Sequence, residues 1–417
     1  MKKHCKILSF ILLFCLLCSI GASAKNISIG LKFGSKSPQE IQLKNNSAFL
    51  LLLGDEILFE VGETTLKVVW AENGTISVFG QENEPPLYIY EKSELPLGVF
   101  PADGGTLLIG ESEYRGGARF LHNEVGLTVI NYLDMEDYLK GVIPGEMPYE
   151  WPAEALKAQA VCARNYALTN YDKFKSYGFN LDDTTQSQVY LGVKAEKEST
   201  NQAVDATKNI YLTYNGEIAN TFFYSSSGGH TESSKYVWGG DFPYLIGVDD
   251  PYDTSREWTV PYTPDEIKEK LAGIQTDIGE ILDLEVVERS PSGRIIDLKI
   301  VGTNGDYHAK LEKSRSLFNL RSNLFTITKK SDNIKPVTVI TSKGLEEREI
   351  STSILTATGT ITPEAGTPNE YIFQGTGYGH GVGMSQYGAK GMAEQGFDFE
   401  QILKHYFTGT ILEEINE

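Results

Sequence analysis

The stretch from about Pro152 to Tyr171 commits this chain to a helix, and to a buried one. Pro152 suits a first helical position, where its missing N–H costs nothing, and Glu154 lies in the first turn, where a carboxylate meets the positive end of the helix dipole. Leu156, Ala160, Ala163 and Ala167 recur at helical spacing on one face, and so many alanines let a neighbouring element approach closely. A chain of 417 residues is long enough to build a core around such a helix and to form more than one domain.

Most of the remaining sequence favours strands and turns. From Ile27 to about Tyr90, short apolar runs such as Ala48 to Leu53, Ile57 to Val61 and Leu66 to Trp70 are separated by turn residues, the last closing on Asn73-Gly74. Leu107 to Gly110, Leu127 to Tyr132 and Ile210 to Ser227 continue the pattern. Beyond a helix expected at Pro264 to Ala272, strands are expected at Leu284 to Glu288, Ile295 to Val301 and Tyr307 to Leu311, with Asn304-Gly305 as a hairpin signal. Two terminal helices are expected, one at about Ser385 to Glu394 and the next capped by Asp398. No short-period repeat is present. The fold class is therefore α+β: a β-rich N-terminal module over 25–105, then a mixed core over 106–417 with a long buried helix. That core holds a small α/β insertion at about 260–330 and a loop-rich segment at about 328–369.

Residues 1–24 read as an export signal: Lys2, Lys3 and Lys6 precede an apolar run from Ile7 to Ile20, and Ala22-Ser23-Ala24 offers small-x-small cleavage. An uncleaved anchor would be the only membrane attachment, since no later stretch is long and apolar enough to span a bilayer. Cys5, Cys15 and Cys18 leave with the signal, so Cys162 has no disulfide partner and reads as an apolar filler. The net charge of −19, before the three leader lysines are lost, argues against nucleic acid as a partner and against general adhesion to anionic polymers. A neutral sugar polymer, or a local basic groove on an acidic body, remains compatible.

Four segments can carry chemistry. In the first, Glu146 stands between Pro144 and Pro148, in a stretch read as unable to continue a helix, among Ile143, Met147, Tyr149 and Trp151. A carboxyl group among apolar side chains has a raised pKa, as a general acid at neutral pH requires; the bland alternative is a solvated or salt-bridged loop glutamate. In the second, Lys157 and Arg164, seven apart on the expected helix, are placed to hold Glu146 or a polar substrate group, or else to form an ordinary ion pair. In the third, Ser225, Ser226 and Ser227, followed by Gly228-Gly229-His230, can offer hydroxyls and N–H groups to a ligand, without the Gly-x-Ser-x-Gly elbow of a serine nucleophile. In the fourth, glycines alternate from Gly375 to Gly383 around His380 and lead into Ser385 and Gln386. That alternation lacks a phosphate loop's Gly-Lys-Ser/Thr ending; it strips side chains from one face so that a flat ligand or another backbone can come close. The histidines outside the leader are scattered and show no metal-site spacing, so no metal and no cofactor is expected.

Together these segments resemble the stage II sporulation protein D / amidase-enhancer (SpoIID/LytB) family. The matching stretches are EDYLKGVIPGEMPYEWPAEALKAQAVCARNYAL at 136–168, TTQSQVY at 184–190, FFYSSSGGHTESSKYVWGG at 222–240, PYLIGVDDPYD at 243–253, SPSGR at 290–294, GTGYGHGVGMSQYGAKGMAEQG at 375–396 and ILKHYFTGT at 402–410. The resemblance implies an exported protein acting on peptidoglycan glycan strands, as a lytic transglycosylase in sporulation and engulfment that cuts strands already stripped of stem peptides. It implies Glu146 as the catalytic carboxyl with Lys157 and Arg164 in support. Gln188, Tyr190, Ser225, Ser226, Ser227, His380, Ser385 and Gln386 would line the substrate groove. Other members imply a non-enzymatic role, binding glycan and stimulating a cell-wall amidase; a wall-associated structural protein with a vestigial groove is the third possibility. Some members carry zinc on cysteines near the Ser-Gly-Gly loop; this chain keeps His230 but has no cysteine there, so none is expected. It also reads Asn319-Leu320-Arg321-Ser322 where many members begin with Gly, which puts that local turn in question.

Overall fold

A computed structural model describes residues 26–415, apart from 81–83, 92, 255–256 and, between 332 and 367, everything but the backbone of four short strands. The expected export signal lies outside the described residues, as does most of the expected loop-rich segment. Within that segment Val337–Thr341 pairs with Gly344–Arg348, and Ile354–Thr356 with Gly359–Ile361, as two hairpin ladders.

Two sheets form the N-terminal part, antiparallel throughout except for the edge strand Leu181–Asp182, which pairs in parallel with Asn26–Lys32. One runs, in spatial order, Leu181–Asp182, Asn26–Lys32, Leu127–Asp134, Gly117–His122, Leu97–Pro101, Phe49–Leu53, Glu56–Val61. The other runs Ser112–Arg115, Thr106–Ile109, Glu40–Lys44, Thr65–Trp70, Ile76–Phe79, Tyr88–Tyr90. Alternating burial along Leu66, Val68, Ile76 and Val78 in the second, and Phe49, Leu51, Leu97 and Val99 in the first, places both apolar faces in one core. The expected boundary at 105 does not mark a structural break, because strands from 106 to 134 complete both sheets. Nonlocal pairing of this kind leaves no composition signal at the point where one would cut.

The helices are α1 (Met135–Glu146), α2 (Ala153–Thr169), α3 (Glu198–Ala206), α4 (Ser234–Trp238), α5 (Pro264–Gly273), α6 (Lys313–Leu317), α7 (Gln386–Glu394) and α8 (Phe399–Tyr406). Helix α2 is buried along nearly its whole length, from Ala155 to Ala167, and packs against α1, α3, α7 and α8. Trp258, Ile267, Leu271, Leu298, Phe318, Phe325 and Phe373 form a second core around α5, α6 and the strands Ile281–Arg289, Ile295–Gly302 and Gly305–Lys310. Asn319 takes φ of +49° just past α6, so the turn placed in question by Asn319-Leu320-Arg321-Ser322 is made with asparagine in the left-handed region, which that side chain tolerates.

Helix α1 corrects the sequence reading of its segment. Asp134 caps it by accepting from the Glu136 N–H at 2.8 Å, and Met135, Tyr138, Leu139, Val142 and Ile143 give it a buried face. Pro144 sits inside the last turn, where its missing N–H forfeits one bond, and the Met147 N–H closes on the Ile143 carbonyl at 2.9 Å. Glu146 is therefore the last residue of a helix rather than part of an irregular loop.

Candidate active site

The end of α1 is met from the side by the segment 188–191. A Cβ on Gly141 would lie 2.4 Å from the Tyr190 ring, so the glycine that weakens the helical pattern is what lets this segment dock. Docked, it aims the Val189 N–H at the Glu146 Oε1, 2.8 Å away. No ion pair reaches Glu146 among the described residues. The half-buried carboxyl is pushed above its ordinary range by burial, which the single Val189 hydrogen bond only partly offsets. On the far side, the Gln386 Nε2 donates to the Glu146 carbonyl at 2.9 Å and lies 3.4 Å from the Gln159 Oε1 of α2.

The other residues named from sequence take distinct places. Gln188 is fully buried: its Oε1 accepts from the Tyr138 hydroxyl and its Nε2 donates to the Ala163 carbonyl, both at 3.3 Å. The Tyr190 hydroxyl donates to the Asn131 Oδ1 at 2.8 Å, from a ring packed on Tyr138 and Tyr114. Both hold the segment that orients Val189 rather than facing an open groove. Arg164 is fully buried and forks onto Glu136, with Nε–Oε1 at 2.8 Å and Nη2–Oε2 at 2.6 Å, while its Nη1 reaches the Ile210 carbonyl. Lys157 pairs with Glu154 at 2.7 Å and lies over the Phe399 ring. The structure thus brings neither cation into an ion pair with Glu146.

The serine loop and the glycine-rich segment do come together. Phe223–Tyr224 pairs in parallel with Met384–Ser385, and Ser226 and Tyr378 exchange both backbone hydrogen bonds, at 3.0 and 2.8 Å. A Cβ on Gly377 would lie 2.9 Å from the Ser226 carbonyl, so here the missing side chain admits another backbone. Asp253, which the residue-by-residue reading passed over, gathers this region. Its carboxylate accepts from the hydroxyls of Ser226, Ser227 and Ser385 at 2.8–3.1 Å, and from the N–H groups of Ser227 and Gly228. Ser385 in turn accepts from the Gly388 N–H and so caps α7. Asp250, fully buried beneath, accepts from the Tyr406 hydroxyl at 3.0 Å, and burial lifts its pKa to about 6.

His380 is enclosed by Phe222, Tyr224 and Trp238, and its Nδ1 accepts from the Val382 N–H at 3.1 Å. Burial, reinforced by Arg315 and Arg294, pushes its pKa down to about 3, so it stays neutral and structural at any ordinary pH. Beside this scaffold opens a cavity of about 290 Å³ lined by Ser225, Ser226, Thr254, Arg321, Gly377, Tyr378 and Tyr387. The Tyr387 ring meets Trp151 edge-on with centroids 5.0 Å apart, and its neighbour Gln386 holds Glu146, so the first turn of α7 joins cavity and carboxyl. Among the described residues no group of three or more His, Cys, Asp or Glu side chains is arranged to hold a metal.

Comparison with known proteins finds sequence similarity across these segments. The family model "Stage II sporulation protein" matches residues 123–214, which carry α1, α2 and the docked 188–191 segment, and a domain of unknown function (DUF8618) matches 185–345. The chain is 32% identical over 386 residues to an uncharacterised protein of Brachyspira hyodysenteriae, covering 91% of each. It is 34% identical over 294 residues to the amidase enhancer of Bacillus subtilis, with 66% of this chain aligned to 40% of that longer protein. To the stage II sporulation protein D of Bacillus amyloliquefaciens it is 31% identical over 311 residues, 68% of this chain and 76% of the relative. With this order of motifs around one docked carboxyl and this extent of identity, the chain belongs to the stage II sporulation protein D family.

Proposed function

We propose that the protein is an exported lytic transglycosylase that cleaves peptide-stripped glycan strands of peptidoglycan, with Glu146 as its acid and then its base. The observation that carries this reading is the state of Glu146: half-buried, without a cation, held by one backbone N–H and raised in pKa by burial. A carboxyl so placed holds its proton to higher pH than a solvated glutamate does, which is the direction a general acid needs. It donates that proton to the glycosidic oxygen between N-acetylmuramic acid and N-acetylglucosamine, and that bond breaks. The carboxylate then takes the proton of the muramic C6 hydroxyl as this oxygen bonds to C1 of the same sugar, giving a 1,6-anhydro end. The nucleophile is tethered, so one carboxyl serves where glycoside hydrolysis ordinarily uses two. Tyr387, Tyr378 and Trp151 offer aromatic faces along the path from cavity to carboxyl.

Digestion of peptide-free glycan strands, with mass spectrometry of the products, tests the reading. Fragments ending in 1,6-anhydro-muramic acid are expected from the unmodified protein and not from Glu146→Gln; anhydro products from that variant would remove Glu146 from the chemistry. The relative named amidase enhancer supports a second reading, a glycan-binding stimulator of a cell-wall amidase. Amidase stimulation that survives Glu146→Gln, with no product from either form, would select it.

A further inference from the structure

The cavity beside the serine loop has one charged side chain among its described lining residues, Arg321, in a chain whose net charge is −19. Among the described residues no carboxylate pairs with it. Its guanidinium stands 6.0 Å from the Tyr378 ring centroid, and its backbone is fixed, the Arg321 carbonyl accepting from the Gly379 N–H at 2.8 Å and the next residue, Ser322, bonding the Thr376 carbonyl. Ser225 and Thr254 line the same cavity. Asp253, which binds the hydroxyl of the lining residue Ser226, already accepts from five groups.

We propose that Arg321, with the hydroxyls of Ser225 and Thr254, binds the free lactyl carboxylate of a muramic acid residue whose stem peptide has been removed. A planar guanidinium beside hydroxyl donors favours a carboxylate, which takes two charge-assisted bonds, over a neutral amide. The sugar that bears it lies against Tyr378 and Tyr387. The class of reaction that supplies this ligand is amide hydrolysis at the lactyl group, which frees the carboxylate. Arg321 is then the residue that separates stripped from peptide-bearing strands. This rests on the proposed glycan reading of the cleft but not on the catalytic role of Glu146.

The test measures binding by calorimetry in the Glu146→Gln background, which consumes no substrate. The probes are peptide-free strands and the same strands with their lactyl carboxylates converted to methyl amides. Free-acid strands are expected to bind about tenfold more tightly than amidated ones, a margin that shrinks with added salt and vanishes in Arg321→Gln. Equal affinity of the Arg321-containing protein for both probes, or a preference that persists in Arg321→Gln, overturns the inference. Cleavage by the protein with Glu146 intact is scored alongside. Cleavage together with a persistent preference sinks the role of Arg321 alone, whereas failure to bind or cut any strand sinks the glycan reading and this inference with it.

Discussion

Glu146 and Asp253 both stand beside the first turn of α7, and they are held in opposite ways. Glu146 has one N–H on its carboxyl and apolar neighbours, whereas Asp253 accepts from three hydroxyls and two N–H groups. A carboxyl with one hydrogen-bond partner is held lightly; one on which five donors converge is a fastening. The two are joined through consecutive residues, since Ser385 binds Asp253 and Gln386 binds the end of the helix that carries Glu146. The serine loop therefore reads best as part of the frame that fixes the first turn of α7 against the end of the helix carrying Glu146, not as a source of nucleophiles.

The largest effect that would break this contrast is on turnover. Glu146→Gln is expected to lower strand cleavage by ~10²–10⁴-fold while leaving the denaturant midpoint nearly unchanged, because removing general acid–base help costs rate and not fold. A variant that instead unfolds would place Glu146 in the frame. Asp253→Ala should do the reverse. It leaves three hydroxyls and two N–H groups without their acceptor, a loss of about 3 kcal/mol in urea unfolding, while turnover per folded molecule falls by less than about tenfold. If Asp253→Ala is as stable as the parent yet inactive, Asp253 belongs to the chemistry.

Arg164 sharpens the same division and shows what sequence could and could not disclose. The alanine face of α2 foretold a buried helix, and α2 is buried. An arginine within a buried helix requires an internal carboxylate, so burial of α2 and a substrate-facing Arg164 were expectations in tension. The structure resolves them with Glu136, 28 residues upstream. Arg164→Ala is expected to cost about 3 kcal/mol or more by stranding that carboxylate, with no change in the pH profile of the remaining activity; a shifted profile would tie Arg164 to Glu146 after all. Helix α1 was hidden because Gly141, Pro144 and Gly145 lower helical propensity, and two of the three are explained only by the docked segment, which approaches Gly141 with the Tyr190 ring and Gly145 with the Val189 carbonyl. Asp253 was hidden for a different reason: its donors lie 25 to 132 residues away, and no local pattern records them. The fourth segment was half legible, since alternating glycines did signal close approach, but the element admitted at Gly377 is the serine loop's backbone.

The smallest expected effect is a matter of sign. Burial raises the Glu146 pKa in the folded protein above its value in the unfolded chain, so ionising it in place costs stability. That cost is absent at pH values below the unfolded pKa, grows as pH rises from there through the folded pKa, and is constant above it. Glutamine keeps an oxygen for the Val189 N–H and carries no charge. The difference in melting temperature between Glu146→Gln and the parent should therefore be near zero at pH 4 and positive at pH 8. Asp253→Asn should show no such gain, because three hydroxyls and two N–H groups converge on that carboxylate, nearly all on Oδ2, and a neutral amide oxygen accepts from them more weakly than a charged one. A Glu146→Gln protein that is less stable than the parent at pH 8 would mean that the ionised carboxylate is supported in the fold, and the distinction between a carboxyl kept free to react and one tied into the frame would lose its physical basis.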